Sequence, residues 1–205
     1  MKHTRLVLGE LETNCYVVWA ENGDAMIIDP ADEAEKILSV VEKEHLSVKA
    51  VVLTHVHFDH LLAAEAVCAA TGAPLYVGAG DEDALTDPER NLSGWFQPGH
   101  PVTLSGATLL RERDAITLGD EQLTVLETPG HTPGCICLRC DNTLYSGDTL
   151  FRNSIGRLDF PGGDIAAMQR SLERLLRLPL EMTVYSGHGP ATTIGTELKY
   201  NPYLK

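Results

Sequence analysis

Three of the eight histidines and an aspartate form a His-x-His-x-Asp-His motif at positions 55–60. The preceding segment KAVVLT (49–54) is a continuous apolar run, which is typical of a strand buried on both faces. The following residues, 61–71, have a helical pattern that Gly72 closes. The motif therefore occupies a strand-to-helix loop. Imidazole and carboxylate groups crowded on one loop suit zinc and related transition metals, so the motif predicts a metal site in an α/β fold.

Three further apolar segments each place a metal-capable residue just beyond a predicted strand. LTVLETPGH leads to His131, NTLYSGD leads to Asp148, and MTVYSGH leads to His188. In layered α/β folds, sites form at the carboxyl ends of strands. The candidate metal ligands are therefore His55, His57, Asp59, His60, His131, Asp148 and His188. Seven ligands exceed what one zinc ion takes, so the count predicts two divalent ions that share a carboxylate, with Asp148 as the expected bridge.

The remaining pattern predicts one α/β domain over residues 1–205. The first thirty residues contain short strand-like runs, and residues 32–45 have helical periodicity. Asp164 is the predicted N-cap of a second long helix, whose apolar stripe comprises Ile165, Met168, Leu172, Leu175 and Leu176. Residues 80–105 are rich in Gly, Pro, Asp and Glu and are predicted to form loops with one short helix. Strands dominate both halves, which favours two packed sheets with helices outside.

Charge and hydropathy exclude two classes of partner. Sixteen basic residues face 29 acidic ones, a net charge of −13 that disfavours nucleic acid. No apolar run approaches the ~20 residues of a membrane span. The first residues, MKHTRLVLGELETN, lack the apolar core of a signal peptide, so we expect a cytoplasmic protein that acts on a small molecule. No pattern in the chain specifies an oligomeric state.

The cluster Cys135, Cys137 and Cys140 is the alternative metal site that the sequence offers. Strand alternation over GCICLRC puts Cys135 and Cys137 on one face and Cys140 on the other. Thiolates that do not converge cannot share an ion. We therefore expect these cysteines to be small buried apolar residues in a reducing compartment.

The histidine motif, His131, Asp148, His188 and the segment GDTLFRNSIGRLDFPGGD (147–164) together resemble the metallo-β-lactamase superfamily, and within it the short glyoxalase II-like hydrolases. The resemblance implies a four-layer αβ/βα sandwich with the metals at one edge. It implies two ligand sets, which Asp148 and a hydroxide would join: His55, His57 and His131; and Asp59, His60 and His188. Zinc is the first expectation for both ions, and iron or manganese are the alternatives.

The chain differs from the class B β-lactamases and from the glyoxalase II enzymes at positions that affect which substrate is bound. Class B β-lactamases typically carry cysteine where Asp148 stands, so the resemblance does not imply that activity. Glyoxalase II enzymes usually have a tyrosine where this chain has Pro190, and another where it has Asp159. Their basic residue nine positions after the bridging aspartate is present as Arg157, the predicted substrate-binding residue. A structural ion pair of Arg157 with Asp159 or Asp164 is the competing interpretation.

The expected reaction is hydrolysis of a small thioester or ester, with S-D-lactoylglutathione as the leading example. A metal pair lowers the pKa of a bridging water toward neutrality, and Asp59 and Asp148 are the carboxylates expected at the reacting centre. Three alternatives remain. An iron-dependent persulfide dioxygenase would use the positions of His55, His131 and Asp148. A lactonase or phosphodiesterase would use the same metals, and a non-catalytic metal-binding domain would bind them without turnover.

Overall fold

Apolar residues on both faces of many strands decide the architecture. The computed structural model describes residues 1–204, in which two six-stranded sheets and a short hairpin form. The first sheet follows chain order: β1 (Lys2–Leu8), β2 (Thr13–Trp19), β3 (Asp24–Ile28), β4 (Ser47–Leu53), β5 (Leu75–Gly78) and β6 (Thr108–Leu110). The second runs β14 (Thr192–Thr193), β13 (Thr183–Ser186), β10 (Thr143–Gly147), β9 (Ile136–Cys140), β8 (Glu121–Glu127) and β7 (Ala115–Leu118). The hairpin pairs β11 (Leu150–Phe151) with β12 (Ser154–Ile155).

Strand direction places several carboxyl ends at the same edge. Strands β3 to β6 are parallel to one another, and β10 is parallel to β13. The remaining pairs in both sheets are antiparallel. The loops that follow β3, β4, β10 and β13 carry the polar residues described below.

Residues 1–204 contain six α-helices, of which the three longest pack on the outer faces of the sheets. They are α1 (Ala34–Lys43), α2 (Phe58–Leu61), α3 (Ala64–Thr71), α4 (Ser93–Phe96), α5 (Ile165–Leu175) and α6 (Ile194–Tyr200), with 3-10 segments at Ala79–Thr86 and Pro202–Leu204. Within residues 1–204, none of these helices has the length and apolar character needed to cross a membrane.

The core lies in three layers, as alternation along β2 shows. Val17 packs with residues of α1 and α3 on the outer side of the first sheet. Val18 packs between the sheets against residues of β8 and β9. Met168 of α5 packs on the outer side of the second sheet. Each fully buried aliphatic side chain contributes about 1.5–3 kcal/mol. The order helix, sheet, sheet, helix confirms the predicted four-layer α/β sandwich.

Two local predictions had different outcomes. Cys137 packs on the outer side of the second sheet and Cys140 between the sheets, so the predicted divergence of these thiols is confirmed. The prediction that Ile165 belongs to the apolar stripe of α5 is wrong, because its side chain is 65% exposed. Asp164 does cap this helix by accepting a hydrogen bond from the Ala167 amide. Burial begins only at Ala167, since helical periodicity sets the direction of a side chain but not where the sheet begins to cover it.

Candidate metal centre

Loops from both sheets meet at one edge and bring all seven predicted ligands together. The histidine motif follows β4, His131 follows β8, Asp148 follows β10 and His188 follows β13. Three groups have ligand atoms within 4.8 Å of one another: His55, His57 and His131; His55, His60 and Asp148; and Asp59, His60 and His188. The first and last groups have the same composition as the two sets that the family resemblance implies.

Asp148 lies between these groups. Its Oδ1 is 3.4 Å from His60 Nε2, and its Oδ2 is 3.6 Å from the Nε2 atoms of both His131 and His188. Asp59 Oδ2 lies 3.2 Å from His188 Nε2. One carboxylate therefore faces histidines of both groups, which is the placement a bridging ligand requires; bridging itself stays a prediction.

Several buried polar atoms at the centre have no protein partner. Among residues 1–204, the Nε2 atoms of His55, His57, His60 and His131 and the Oδ1 of Asp148 accept or donate no hydrogen bond. Leaving such atoms buried and unpaired costs about 1–3 kcal/mol each. A divalent cation would satisfy them together, and nitrogen with carboxylate oxygen is the donor set that zinc and iron accept. The residues present therefore fit a pair of divalent ions.

The outer nitrogens of two histidine rings are hydrogen-bonded to groups outside the ligand set, and a third lies close to a carboxylate. His131 Nδ1 donates to the Arg157 carbonyl oxygen at 2.7 Å, and His188 Nδ1 donates to the Leu11 carbonyl oxygen at 3.1 Å. Asp29 Oδ2 lies 3.0 Å from His60 Nδ1. The two hydrogen bonds orient the rings of His131 and His188 and direct their Nε2 atoms at the centre.

Sequence reasoning missed Asp29 and Thr13. Asp29 accepts hydrogen bonds from the Thr54 amide and from Thr54 Oγ1, both at 2.7 Å, directly before the histidine motif. Thr13 Oγ1 donates to Asp59 Oδ2 at 3.0 Å. Asp29 follows β3, so the strand-end pattern that identified the ligands would also have found it. Thr13 is a neutral residue at the start of β2, so the strand-end pattern does not identify it.

Two glycines allow the ligand loops to approach each other closely. A Cβ at Gly187 would overlap Asp148 Oδ1, so a side chain there would displace the central carboxylate. Gly147 has a φ of +47° and its Cβ would overlap Thr54 Oγ1. Glycine is required at both positions because it has no Cβ to overlap these neighbours, and at Gly147 also because it adopts a positive φ without strain.

Burial and charge set the protonation of the ligands in the protein without metal. Burial lowers the pKa of His57 to about 3, with a further contribution from His131. Burial also lowers the pKa of His55 well below its usual range. Burial acts to raise the pKa of Asp148, but the charge on His60 outweighs it and the pKa is lowered. At neutral pH, His55 and His57 are therefore neutral and Asp148 is ionised, which are the forms that bind metal. Burial acts to lower the pKa of His60 and of His188, but Asp148 and Asp59 outweigh it and raise both, so metal binding must displace protons from these two rings.

A cavity of about 340 Å³, which we call the metal cavity, opens onto the ligands. The other residues that line it are largely apolar and include Leu11, Phe58, Phe96, Phe151, Ile155 and Phe160. Arg157 also lines it, with Nε and Nη2 each donating to one Asp159 oxygen at 2.7 Å and Cζ lying 3.9 Å from the Phe160 ring centroid. The ion pair with Asp159 is thus present, and a substrate-binding role for Arg157 stays a prediction.

Curated relatives match nearly the whole chain. The chain is 36% identical to "Probable metallo-hydrolase YqgX" of Bacillus subtilis (strain 168), across 100% of this chain and 98% of that protein. It is 33% identical to "Hydroxyacylglutathione hydrolase GloC" of Haemophilus influenzae (strain ATCC 51907 / DSM 11121 / KW20 / Rd), across 94% of this chain and 93% of that protein.

Two solved structures are also similar to nearly the whole chain. The crystal structure of BLEG-1 B3 metallo-beta-lactamase superposes with a TM-score of 0.93 at 37% identity, covering all of both chains. The structure of TTHA1623 in a di-iron-bound form superposes with a TM-score of 0.89 at 36% identity, covering 98% of this chain and all of that one. The model of the metallo-beta-lactamase superfamily matches residues 8–188. On the fold, the clustered ligands and these matches, the chain belongs to the metallo-beta-lactamase superfamily.

Proposed function

We propose that this protein is a dinuclear metal-dependent hydrolase that cleaves a small thioester. The observation that supports the proposal most is the pair of ligand groups on either side of Asp148, with unpaired Nε2 atoms directed at the centre. The relative named as a hydroxyacylglutathione hydrolase supports a thioester as the substrate. Ester cleavage by the same centre is the nearest variant of this activity.

When bound, a divalent metal pair lowers the pKa of a water toward neutrality and polarises the substrate carbonyl. The protein residues hold and orient the components. Asp29 and the carbonyl oxygens of Arg157 and Leu11 orient the rings of the candidate ligands, and apolar side chains line much of the metal cavity beside them. In the net reaction the acyl carbon gains an oxygen from water, the C–S bond breaks, and the products are a carboxylic acid and a thiol. A thiolate leaves without a dedicated proton donor, because its pKa is only about 8.5.

Metal analysis followed by one assay tests this proposal. Protein purified without added metal is subjected to elemental analysis, and the same sample is assayed with S-D-lactoylglutathione. We expect about two equivalents of metal and thioester turnover. The Asp148→Asn variant should lose metal and activity together. The matched control is His100→Asn, since His100 is an exposed histidine outside the centre.

Each outcome bears on a separate part of the proposal. Fewer than two metal equivalents in active wild-type protein would contradict the dinuclear centre. Two equivalents without turnover of any thioester or ester would contradict the hydrolase. An Asp148→Asn variant with unchanged metal content and unchanged rate would remove the carboxylate from its proposed role.

A second candidate activity is β-lactam hydrolysis. It is favoured by the likeness, at 37% identity over the full chain, to a structure named as a B3 metallo-beta-lactamase. A chromogenic cephalosporin added to the same metal-loaded sample distinguishes the two activities, because only a β-lactamase opens the lactam ring. Oxygen uptake with glutathione persulfide by an iron-loaded sample would instead support the dioxygenase alternative.

A further inference from the structure

Three phenylalanines form a continuous surface beside the ligands, which we call the aromatic wall: Phe58, Phe96 and Phe160. The Phe58 and Phe96 rings stack with centroids 5.1 Å apart and planes 10° apart. Phe96 and Phe160 meet at 6.1 Å with planes at 74°. Phe160 also lies edge-on to His57 at 5.9 Å. The wall therefore begins at a metal-ligand candidate and extends outward to Phe96.

The aromatic wall presents unburied apolar surface to a concave space. Phe96 is 49% exposed, although it lines the metal cavity. Burying more of an aromatic ring against a ligand is favourable, at about 25 cal/mol per Å² of apolar surface, and ring pairing adds to this. Phe58 is buried, but the half-exposed Phe96 and the partly exposed Phe160 are thus placed to bind an apolar group of a substrate.

Charges around the cavity disfavour an anionic group at this surface. Arg157 is the only Lys or Arg among the described residues that line the metal cavity, and its Nε and Nη2 already donate to Asp159. A second cavity of about 470 Å³ shares Phe58 and Phe96 with the first, and Glu10 and Asp32 line it. Away from the metal centre, a ligand with free carboxylates would therefore meet negatively charged side chains and no unpaired lysine or arginine within this part of residues 1–204.

We propose that the aromatic wall is a specificity subsite that binds an uncharged aromatic group attached to the scissile thioester. This inference rests on the proposed hydrolase function, and it names the substrate class. The aromatic group can belong to the acyl part or to the thiol part of the thioester. In either case, an uncharged aromatic thioester is a better substrate than S-D-lactoylglutathione, whose glutathione part carries two carboxylates.

The test compares four thioesters on metal-loaded wild-type protein. S-phenylacetyl-N-acetylcysteamine carries the ring on the acyl part, and S-benzyl thioacetate carries it on the thiol part. S-acetyl-N-acetylcysteamine has no ring, and S-D-lactoylglutathione is anionic. We expect kcat/KM for at least one aromatic substrate to exceed that of the acetyl reference and of S-D-lactoylglutathione by about tenfold. The arm that shows the gain assigns the ring to the acyl or to the thiol part.

Variants connect the preference to the aromatic wall. Phe96→Ala should reduce the ratio of kcat/KM for the aromatic substrate to that for the acetyl reference by about fivefold, the amount expected from loss of one ring contact. The matched control is Leu180→Ala, which removes an equally exposed apolar side chain. Leu180 precedes β13, at the opposite end of that strand from His188, so this variant should keep the wild-type ratio.

A binding measurement separates failure of the subsite from failure of the hydrolase. The probe is the thioether S-benzyl-N-acetylcysteamine, which cannot be hydrolysed, titrated into metal-loaded wild type and Phe96→Ala. Saturable binding that weakens about fivefold in Phe96→Ala supports the subsite even if no thioester is cleaved. Equal binding to the two proteins, or no binding to wild type, overturns the subsite. Thioester turnover without any aromatic preference also overturns it while leaving the hydrolase in place.

Discussion

Asp81 Oδ2 accepts a hydrogen bond from Thr132 Oγ1 at 2.8 Å, directly after the ligand candidate His131. Its other oxygen, Oδ1, accepts from the Gly134 amide at 2.7 Å. Asp81 is 1% exposed and lies in the 3-10 segment Ala79–Thr86, far from His131 in sequence. A buried carboxylate thus holds the loop that positions one of the ligands of the first group.

We predict that Asp81→Asn weakens metal binding by the group His55, His57 and His131. The amide nitrogen that replaces one oxygen cannot accept from Thr132 Oγ1, so the hydroxyl must turn and this hydrogen bond reverses, which disturbs the loop at a cost of about 1–3 kcal/mol. Disturbed support of a ligand lowers metal affinity by about tenfold or more. Competition with a chromophoric chelator measures the two affinities separately. Glu82→Gln, at the adjacent exposed position, is the control, and wild-type affinity in Asp81→Asn would contradict the prediction.

Acid should destabilise the metal-free protein partly through His57. Its pKa in the folded protein is lowered to about 3 by burial, then by His131, below the ordinary value of 6.5. Between these pH values the unfolded chain binds a proton that the folded protein does not. The free energy of unfolding therefore falls as pH decreases from 6.5 toward 3, with a contribution of up to about 1.4 kcal/mol per pH unit from this residue.

Urea unfolding of chelator-treated protein at a series of pH values measures this contribution. His57→Gln should show a shallower decrease between pH 6.5 and pH 3 than wild type, whereas His100→Gln, at an exposed position, should not. Parallel curves for wild type and His57→Gln would show that the buried imidazole is not the source of the acid sensitivity.

The ion pair between Arg157 and Asp159 should limit the attraction of anionic substrates. We expect Asp159→Asn to lower KM for S-D-lactoylglutathione by about threefold, because the guanidinium is then free and exposed charge pairs contribute about 0.2–1 kcal/mol. KM for uncharged S-acetyl-N-acetylcysteamine should not change. The gain should shrink as salt is raised, and Arg157→Gln in the same background should abolish it. A KM that is equal in Asp159→Asn and wild type at low salt would disprove this role of the pair.

Thiol reactivity should distinguish Cys68 from the other cysteines. Burial raises the pKa of Cys137 to about 11 and holds those of Cys15 and Cys135 well above the usual range. Burial also raises the pKa of Cys68 and of Cys140, but Cys68, on α3, is only partly buried whereas Cys140 is 7% exposed, so access distinguishes Cys68. With a disulfide reagent at pH 8, we expect one fast-reacting thiol in the native protein and the others only after denaturation. Cys68→Ser should remove the fast phase, and persistence of that phase would assign it to another cysteine.

The amino-acid sequence identified the candidate ligands, and predicted that they meet, because each follows a segment with strong local periodicity. A continuous apolar run before His55 and strand patterns before Asp148 and His188 place these residues at strand ends, and strand ends in this class of fold share an edge. The two-sheet architecture followed from the same periodicity, since strands that are apolar on both faces must be covered on both sides.

What the sequence by itself determined is therefore the type of fold and the chemistry of the donor set. Only the tertiary structure showed which residues hold the candidate ligands in place and which side chains line the cavity beside them. The contact of Asp81 with Thr132, the choice of Asp159 as the partner of Arg157 and the meeting of three distant phenylalanines depend on how loops lie over one another. Loop positions result from packing between segments far apart in the chain, and such contacts leave no repeating pattern in the sequence of either segment.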